Sequence, residues 1–107
     1  MESLITKEKI QEIADKIAKA YKPKKIILFG SWAWGKPNKN SDADLFIIKD
    51  ENKSQIEMMR EVDRILCDRD IPVDILVYKP EQLEKRKTLG DPFILKIINS
   101  GKVLYEY

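Results

Sequence analysis

Apolar residues along the chain are spaced in two different ways. Between Thr6 and Tyr21 they recur every three or four positions, which predicts an amphipathic helix with Thr6 as its N-terminal cap. Residues 24–29, 42–48 and 73–78 instead hold short, nearly continuous apolar runs. Runs of this length, bounded by Gly, Pro, Asn and Asp, are typical of buried strands.

A second amphipathic helix is predicted over residues 54–68, after a polar turn. Its inward face is expected to carry Ile56, Met59, Val62, Ile65 and Leu66. Residues 31–41, between the first two strands, contain several turn-forming residues, and we expect them to form a loop.

Two shorter helices are predicted near the C-terminus. Pro80 favours a helix start, and that helix should reach about residue 87. Asp91 and Pro92 begin the next one, which Gly101 ends. Its inward side chains are expected to be Phe93, Ile94, Ile97 and Ile98. With an extended segment over residues 102–107, the order predicts one α+β (mixed α/β) domain spanning residues 1–107, a small mixed sheet with helices packed against it.

Composition removes several kinds of chemistry. The chain has 20 Lys and Arg against 18 Asp and Glu, a net charge of +2, so we expect neither nucleic acid nor a membrane as a partner. It has no histidine, which excludes Ser-His and Cys-His catalysis and histidine-ligated zinc. The single cysteine, Cys67, is expected to be a small buried side chain. No apolar run approaches the roughly 18 residues of a membrane helix, and a cytoplasmic location is expected.

Three aspartates stand where strand geometry can bring them together. Asp42 and Asp44 are two residues apart in the second predicted strand, so their side chains should share a face about 7 Å apart. Asp74 interrupts the apolar third strand, where an aspartate has no packing role. If the two strands are neighbours in a suitable register, Asp74 joins the pair. Three close carboxylates need a compensating cation, and Mg²⁺ or Mn²⁺ completed by phosphate oxygens suits such ligands.

A glycine–serine pair, Gly30-Ser31, directly follows the first predicted strand. Glycine lets the backbone approach a phosphate closely, and the serine hydroxyl with nearby N–H groups can hold phosphate oxygens. Together with the aspartates, the pair predicts a nucleoside triphosphate site. There, bound metals would activate an acceptor hydroxyl for attack on the α-phosphate, with pyrophosphate leaving.

The spacing Gly30-Ser31, ten residues, Asp42-x-Asp44 resembles the G-S-x(10)-D-x-D signature of the minimal nucleotidyltransferase (MNT) group of the DNA polymerase beta superfamily. The resemblance covers most of the chain and implies a nucleotidyltransferase fold like the polymerase beta palm. By this resemblance, Gly30 and Ser31 bind the triphosphate of ATP. Asp42 and Asp44 ligate two Mg²⁺ ions, and Asp74 ligates the catalytic one.

Two tryptophans depart from the family pattern. Many relatives carry basic residues where Trp32 and Trp34 stand, and we expect these rings to pack or to contact a partner rather than to stack on a base. The triphosphate charge is then met by Lys36 or Lys39, or the nucleotide is bound more weakly.

The resemblance also implies an activity: Mg²⁺-dependent transfer of AMP from ATP to a tyrosine of a helical HEPN toxin, by the antitoxin of a toxin–antitoxin pair. A chain of 107 residues is expected to lack an acceptor-holding domain, so the acceptor should come from another protein. Two alternatives stay open. One is an antitoxin that neutralises its partner by binding alone, and the other is antibiotic adenylylation in a pocket completed by homo-oligomerisation.

Overall fold

The computed structural model describes residues 5–37, 42–69 and 71–107. Within these ranges the elements, in chain order, are α1 (Lys7–Tyr21), β1 (Lys25–Phe29), α2 (Ser31–Trp34), β2 (Ala43–Ile48), α3 (Gln55–Ile65), β3 (Val73–Tyr78), α4 (Pro80–Thr88), α5 (Pro92–Ser100) and β4 (Lys102–Glu106). The predicted strands and most of the predicted helices are confirmed with small changes in their bounds. None of the described helices is long and apolar enough to cross a bilayer.

The four strands form one mixed sheet in the order β3-β2-β1-β4. β1 lies antiparallel to β2 on one side and to β4 on the other, whereas β2 and β3 are parallel and are joined by the crossover helix α3. The register places Asp44 beside Asp74 and also places Phe29 beside Asp44. The predicted mixed α/β architecture is therefore confirmed.

Both faces of the sheet are covered by helices, and alternate residues of β2 show the two sides. Leu45 and Ile47 lie in a core cluster with α1 and α3, whereas Phe46 and Ile48 lie in a second cluster with α5. Leu45, Phe46 and Ile47 are fully buried. Burying one such side chain contributes about 1.5–3 kcal/mol, so the two clusters hold β2 at the centre of the fold.

Helix α1 has well-defined ends. The Thr6 hydroxyl accepts a hydrogen bond from the backbone N–H of Lys9 at 3.1 Å, which confirms the predicted cap. At the other end, Lys22 adopts a left-handed conformation with φ 54°. The Lys49 ammonium donates to the carbonyl of Tyr21 at 2.6 Å, which satisfies an acceptor at the end of the helix.

The prediction of a loop over residues 31–41 is wrong at its start. Gly30, with φ 77°, turns the chain at the end of β1, and the N–H groups of Ala33 and Trp34 donate to its carbonyl at 2.9 and 3.1 Å. One helical turn, α2, therefore begins directly after the glycine. Residues 38–41, with Lys39, lie outside the described residues.

Three side chains that were predicted to be buried are exposed. On α3, Ile56 is 63% exposed and Met58 is buried instead, because position 56 is six residues from Val62 and so lies about 120° away on the helix. On α5, Phe93 is half exposed in the first turn. Cys67 is exposed, because α3 ends before it and the chain turns there.

Gly101, between α5 and β4, offers a test of this packing. A Cβ at this position would lie 2.4 Å from the Ile97 carbonyl oxygen and 2.6 Å from the Ile27 Cγ2. We expect Gly101→Ala to lower the free energy of unfolding by about 2–3 kcal/mol in urea denaturation, since α5 and β1 must both shift.

Gly90→Ala is the matched control for this substitution. Gly90 has φ 72°, but a Cβ there would meet nothing within 4 Å, so only backbone strain of about 1 kcal/mol is expected. Equal losses in the two variants would contradict the packing argument.

Candidate functional site

The predicted site residues gather at the end of the sheet where β1 ends and β2 and β3 begin. Gly30 and Ser31 follow the last residue of β1. Because β1 runs antiparallel to β2, and β2 runs parallel to β3, the first residues of both later strands lie at that same end. The fold thus brings Asp42, Asp44 and Asp74 to the glycine–serine bend.

Asp44 and Asp74 form a pair of neighbouring carboxyl groups. They are register partners in the parallel β2–β3 ladder, so their side chains leave the sheet on the same face about 4.8 Å apart at the backbone. Besides burial, the charge of Asp74 and hydrogen bonding to it both raise the pKa of Asp44. Asp44 is half-buried, and Asp74 is exposed. The pair is therefore partly shielded from solvent at Asp44 and open to solvent at Asp74.

Gly30 packs directly against Asp44. A Cβ built on Gly30 would lie 2.2 Å from the Asp44 Oδ2, and the positive φ of Gly30 is itself strained for other residues. Only glycine leaves room for this carboxylate at the bend. The close approach also limits how the Asp44 side chain can turn.

Ionisation of Asp44 is opposed by its surroundings. Burial is the largest cause and, with the charge and hydrogen bond of Asp74 and the charge of Asp42, it raises the pKa of Asp44 to about 6. Asp42 is exposed and acts on Asp44 through its charge. An unbalanced anionic site of this kind favours binding of a cation.

The donor set fits Mg²⁺ or Mn²⁺ through two carboxylates. In residues 5–37, 42–69 and 71–107, no group of three or more Asp, Glu, Cys or His side chains is placed to hold a metal ion. Mg²⁺, however, is commonly bound through one or two carboxylates, with waters and substrate phosphates completing its shell. Asp44 and Asp74 supply such a pair, while ligation by Asp42 stays a prediction.

The residues expected to bind phosphate occupy different positions around the bend. Ser31 is the first residue of α2 and is half-buried, and its carbonyl accepts from the Gly35 N–H at 3.1 Å. Lys36 lies just beyond α2 and is exposed. Trp32 packs against the core cluster of α1 and α3, and Trp34 packs against the cluster of α5. The tryptophans thus anchor α2, as their expected packing role requires.

Sequence reasoning did not identify an aromatic cluster next to the carboxylates. The Phe29 ring lies 6.4 Å from the Trp34 ring and 5.7 Å, edge-on, from the Phe93 ring. The Lys96 Nζ lies 4.9 Å from the centre of the Trp34 ring. No sequence signal links these residues to Asp44, because only the β1–β2 register and the docking of α5 bring them there.

The pKa of Asp44 predicts how stability depends on pH. Because the folded pKa of Asp44 exceeds that of an unfolded aspartate, the contribution of Asp44 to stability is greatest below about pH 4 and is lost as pH rises through about 6. We expect Asp44→Asn to remove this loss. Since the side chain is partly solvent-screened, the gain at pH 7 should be about 1 kcal/mol, or about 4 °C in melting temperature.

Thermal unfolding of both proteins between pH 4 and 8, without divalent metal, measures this effect. The difference between wild type and variant should disappear towards pH 4. A difference that stays constant with pH would show that the carboxylate's ionisation is not responsible.

Two comparisons with known proteins address the fold, and a third found nothing. No curated protein matches the chain. A crystal structure of a candidate nucleotidyltransferase from Sulfolobus solfataricus matches with a TM-score of 0.59 and 21% sequence identity, covering 73% of this chain and 70% of that one. At this identity the match supports the nucleotidyltransferase fold alone.

The family comparison is more extensive. The family model described as Polymerase beta, Nucleotidyltransferase matches residues 8–107, which include the glycine–serine bend and all three aspartates. The chain therefore belongs to the polymerase beta nucleotidyltransferase family.

Proposed function

We propose that the protein is a divalent-metal-dependent adenylyltransferase that moves AMP from ATP onto a tyrosine hydroxyl of a partner HEPN toxin, as the antitoxin of the pair. The observation that carries the transferase proposal is the Asp44–Asp74 pair, packed against the Gly30 bend and open to solvent. Family membership supports the reaction class. The resemblance of Gly30-Ser31 and Asp42-x-Asp44 to the MNT signature supports the nucleotide and the partner.

The two carboxylates have different environments and therefore suit different tasks. Asp44 is half-buried and lies directly against Gly30, which suits a group that holds a ligand in place. Asp74 is exposed and adjoins it, so it can face an incoming hydroxyl and take its proton. A bound Mg²⁺ or Mn²⁺ would neutralise phosphate charge and favour deprotonation of the acceptor.

The reaction at this site is an in-line displacement. The acceptor oxygen forms a bond to the α-phosphorus, and the bond from that phosphorus to the bridging oxygen of the β-phosphate breaks. Pyrophosphate leaves with the electron pair, and the hydroxyl proton goes to a base such as Asp74. Gly30 has no side chain to obstruct the triphosphate, and the Ser31 hydroxyl can donate to its oxygens.

An external protein acceptor is consistent with the exposure of the site. Asp42 and Asp74 are both exposed, so the end of the sheet can be reached by a side chain from another molecule. A tyrosine can bring its hydroxyl to the carboxylates at the end of a long, rigid side chain. An antitoxin that neutralises its partner by binding alone does not need the carboxylates. Substitution of the aspartates therefore distinguishes this alternative from AMP transfer.

Transfer can be measured with ATP labelled at the α-phosphate, Mg²⁺ and a co-encoded helical partner. We expect label on a partner tyrosine, and we expect Asp44→Asn and Asp74→Asn each to reduce the rate at least about a hundredfold, because the first removes a carboxylate that would hold the metal and the second removes the base that takes the acceptor proton. Asp50→Asn, at the opposite end of β2, is the matched control and should keep the wild-type rate.

Wild-type protein that transfers no label with either Mg²⁺ or Mn²⁺ would contradict the proposed activity. A growth assay with the co-expressed partner distinguishes neutralisation by AMP transfer from neutralisation by binding alone. If Asp42→Asn/Asp44→Asn still neutralises the partner at equal expression, neutralisation occurs by binding alone.

Metal binding gives a second prediction that does not need an acceptor. At about ten times its dissociation constant, Mg²⁺ or Mn²⁺ should stabilise the wild type by about 1.4 kcal/mol, seen as a higher melting temperature. Asp44→Asn and Asp74→Asn should lose most of this stabilisation, whereas Asp50→Asn should keep it. Equal stabilisation of all four proteins would place the metal elsewhere.

A further inference from the structure

The carboxylate pair has an aromatic neighbour on the same face of the sheet. Across the three strands, Asp74, Asp44 and Phe29 are successive register partners, so their side chains form one row. The Trp34 ring lies 6.4 Å from the Phe29 ring and packs with it in the α5 core cluster. Trp34 therefore borders the candidate site on the side of β1.

Lys96, on α5, projects over this tryptophan. Its Nζ is 4.9 Å from the centre of the Trp34 ring, within the range of a cation–π interaction. Lysines elsewhere, such as Lys16 and Lys25, pair with carboxylates, but in the described part of the chain Lys96 forms no ion pair. An aromatic ring orients an ammonium group without neutralising it. Lys96 thus keeps its charge for an anionic ligand.

A triphosphate at the glycine–serine bend would need such a charge. It carries several negative charges, and Asp44 and Asp74 add more, so a metal ion between the carboxylates leaves much of the phosphate charge unbalanced. The helical turn that follows the bend, α2, consists of Ser31, two tryptophans and an alanine and contains no cation. A cation must therefore come from another part of the chain.

We propose that Lys96, positioned by Trp34, binds the β- and γ-phosphates of the donor nucleotide. This inference rests on the proposed function and adds a binding residue to the same site. It assigns to α5 the role that Lys36 was expected to fill. The competing interpretation is that the contact only fastens α5 to α2, in which case nucleotide affinity would not depend on the lysine charge.

Calorimetric titration with Mg²⁺ and three probes separates these interpretations: a non-hydrolysable ATP analogue, inorganic tripolyphosphate and AMP. We expect Lys96→Gln to weaken binding of the ATP analogue and of tripolyphosphate about tenfold, with less than about a twofold effect on AMP. Lys96→Arg should retain most of the affinity, since arginine keeps both the charge and the ring contact. Trp34→Leu should weaken the ATP analogue about threefold by releasing the lysine.

Two further variants serve as controls. Lys19→Gln removes the same charge from the last turn of α1, at the other end of the sheet, and should bind all three probes like the wild type. Lys36→Gln tests the alternative cation beside α2. Melting temperatures identify any variant whose fold is disturbed. Loss of a purely structural contact would not weaken binding of the triphosphate probes more than binding of AMP.

The inference is overturned if Lys96→Gln binds the ATP analogue as tightly as the wild type, or if it weakens AMP and the analogue equally. A large effect of Lys36→Gln with none for Lys96→Gln would return the role to Lys36. Wild-type protein that binds neither the ATP analogue nor tripolyphosphate would instead overturn the proposed function, and this inference with it.

Discussion

The parallel pairing of β2 with β3 fixes two like charges next to each other, and the rest of the site depends on that register. Asp44 lies beside Asp74, and Gly30 closes on Asp44 from the end of β1. The arrangement opposes ionisation of Asp44. An aspartate whose surroundings destabilise its charged form does not, in that form, contribute to the stability of the fold. The presence of Asp44 in an otherwise apolar pair of strands is explained if a cation and an anionic substrate relieve the repulsion when they bind.

Packing on both faces of the sheet maintains this unfavourable pair. A slip of one residue between β2 and β3 would turn Leu45 and Ile47 from the cluster of α1 and α3 to the opposite face. It would also separate Asp44 from Asp74. Because the buried side chains of β2 contribute far more free energy than the carboxylate repulsion removes, the register holds. The two hydrophobic clusters therefore determine the geometry of the acidic site.

The sequence pattern was sufficient for features that depend on local spacing and insufficient for those that depend on docking. The bounds of β3 follow from the prolines on either side of its apolar run, and the alternation of β2 follows from its residue spacing. The proximity of Asp74 to Asp44 could be stated only conditionally, since register is set by contacts between distant segments. The helical turn α2 was missed because it is too short to show a period, and its formation depends on the conformation of Gly30. Lys96 looks like any solvent-facing helix residue, and only the docking of α5 brings it to Trp34.

The two tryptophans link the stability of α2 to the chemistry proposed for it. A helical turn of four residues is not stable in isolation, and α2 is held because Trp32 packs into one hydrophobic cluster and Trp34 into the other. Basic side chains at these two positions would give the turn charge but would remove its apolar anchors. If α2 borders the triphosphate as proposed, anchoring α2 with aromatic rings leaves the phosphate charge to be met by another element. A lysine held over one of those same rings can perform that task without giving up the packing, because Trp34 packs against the cluster of α5 while its ring attracts the ammonium group.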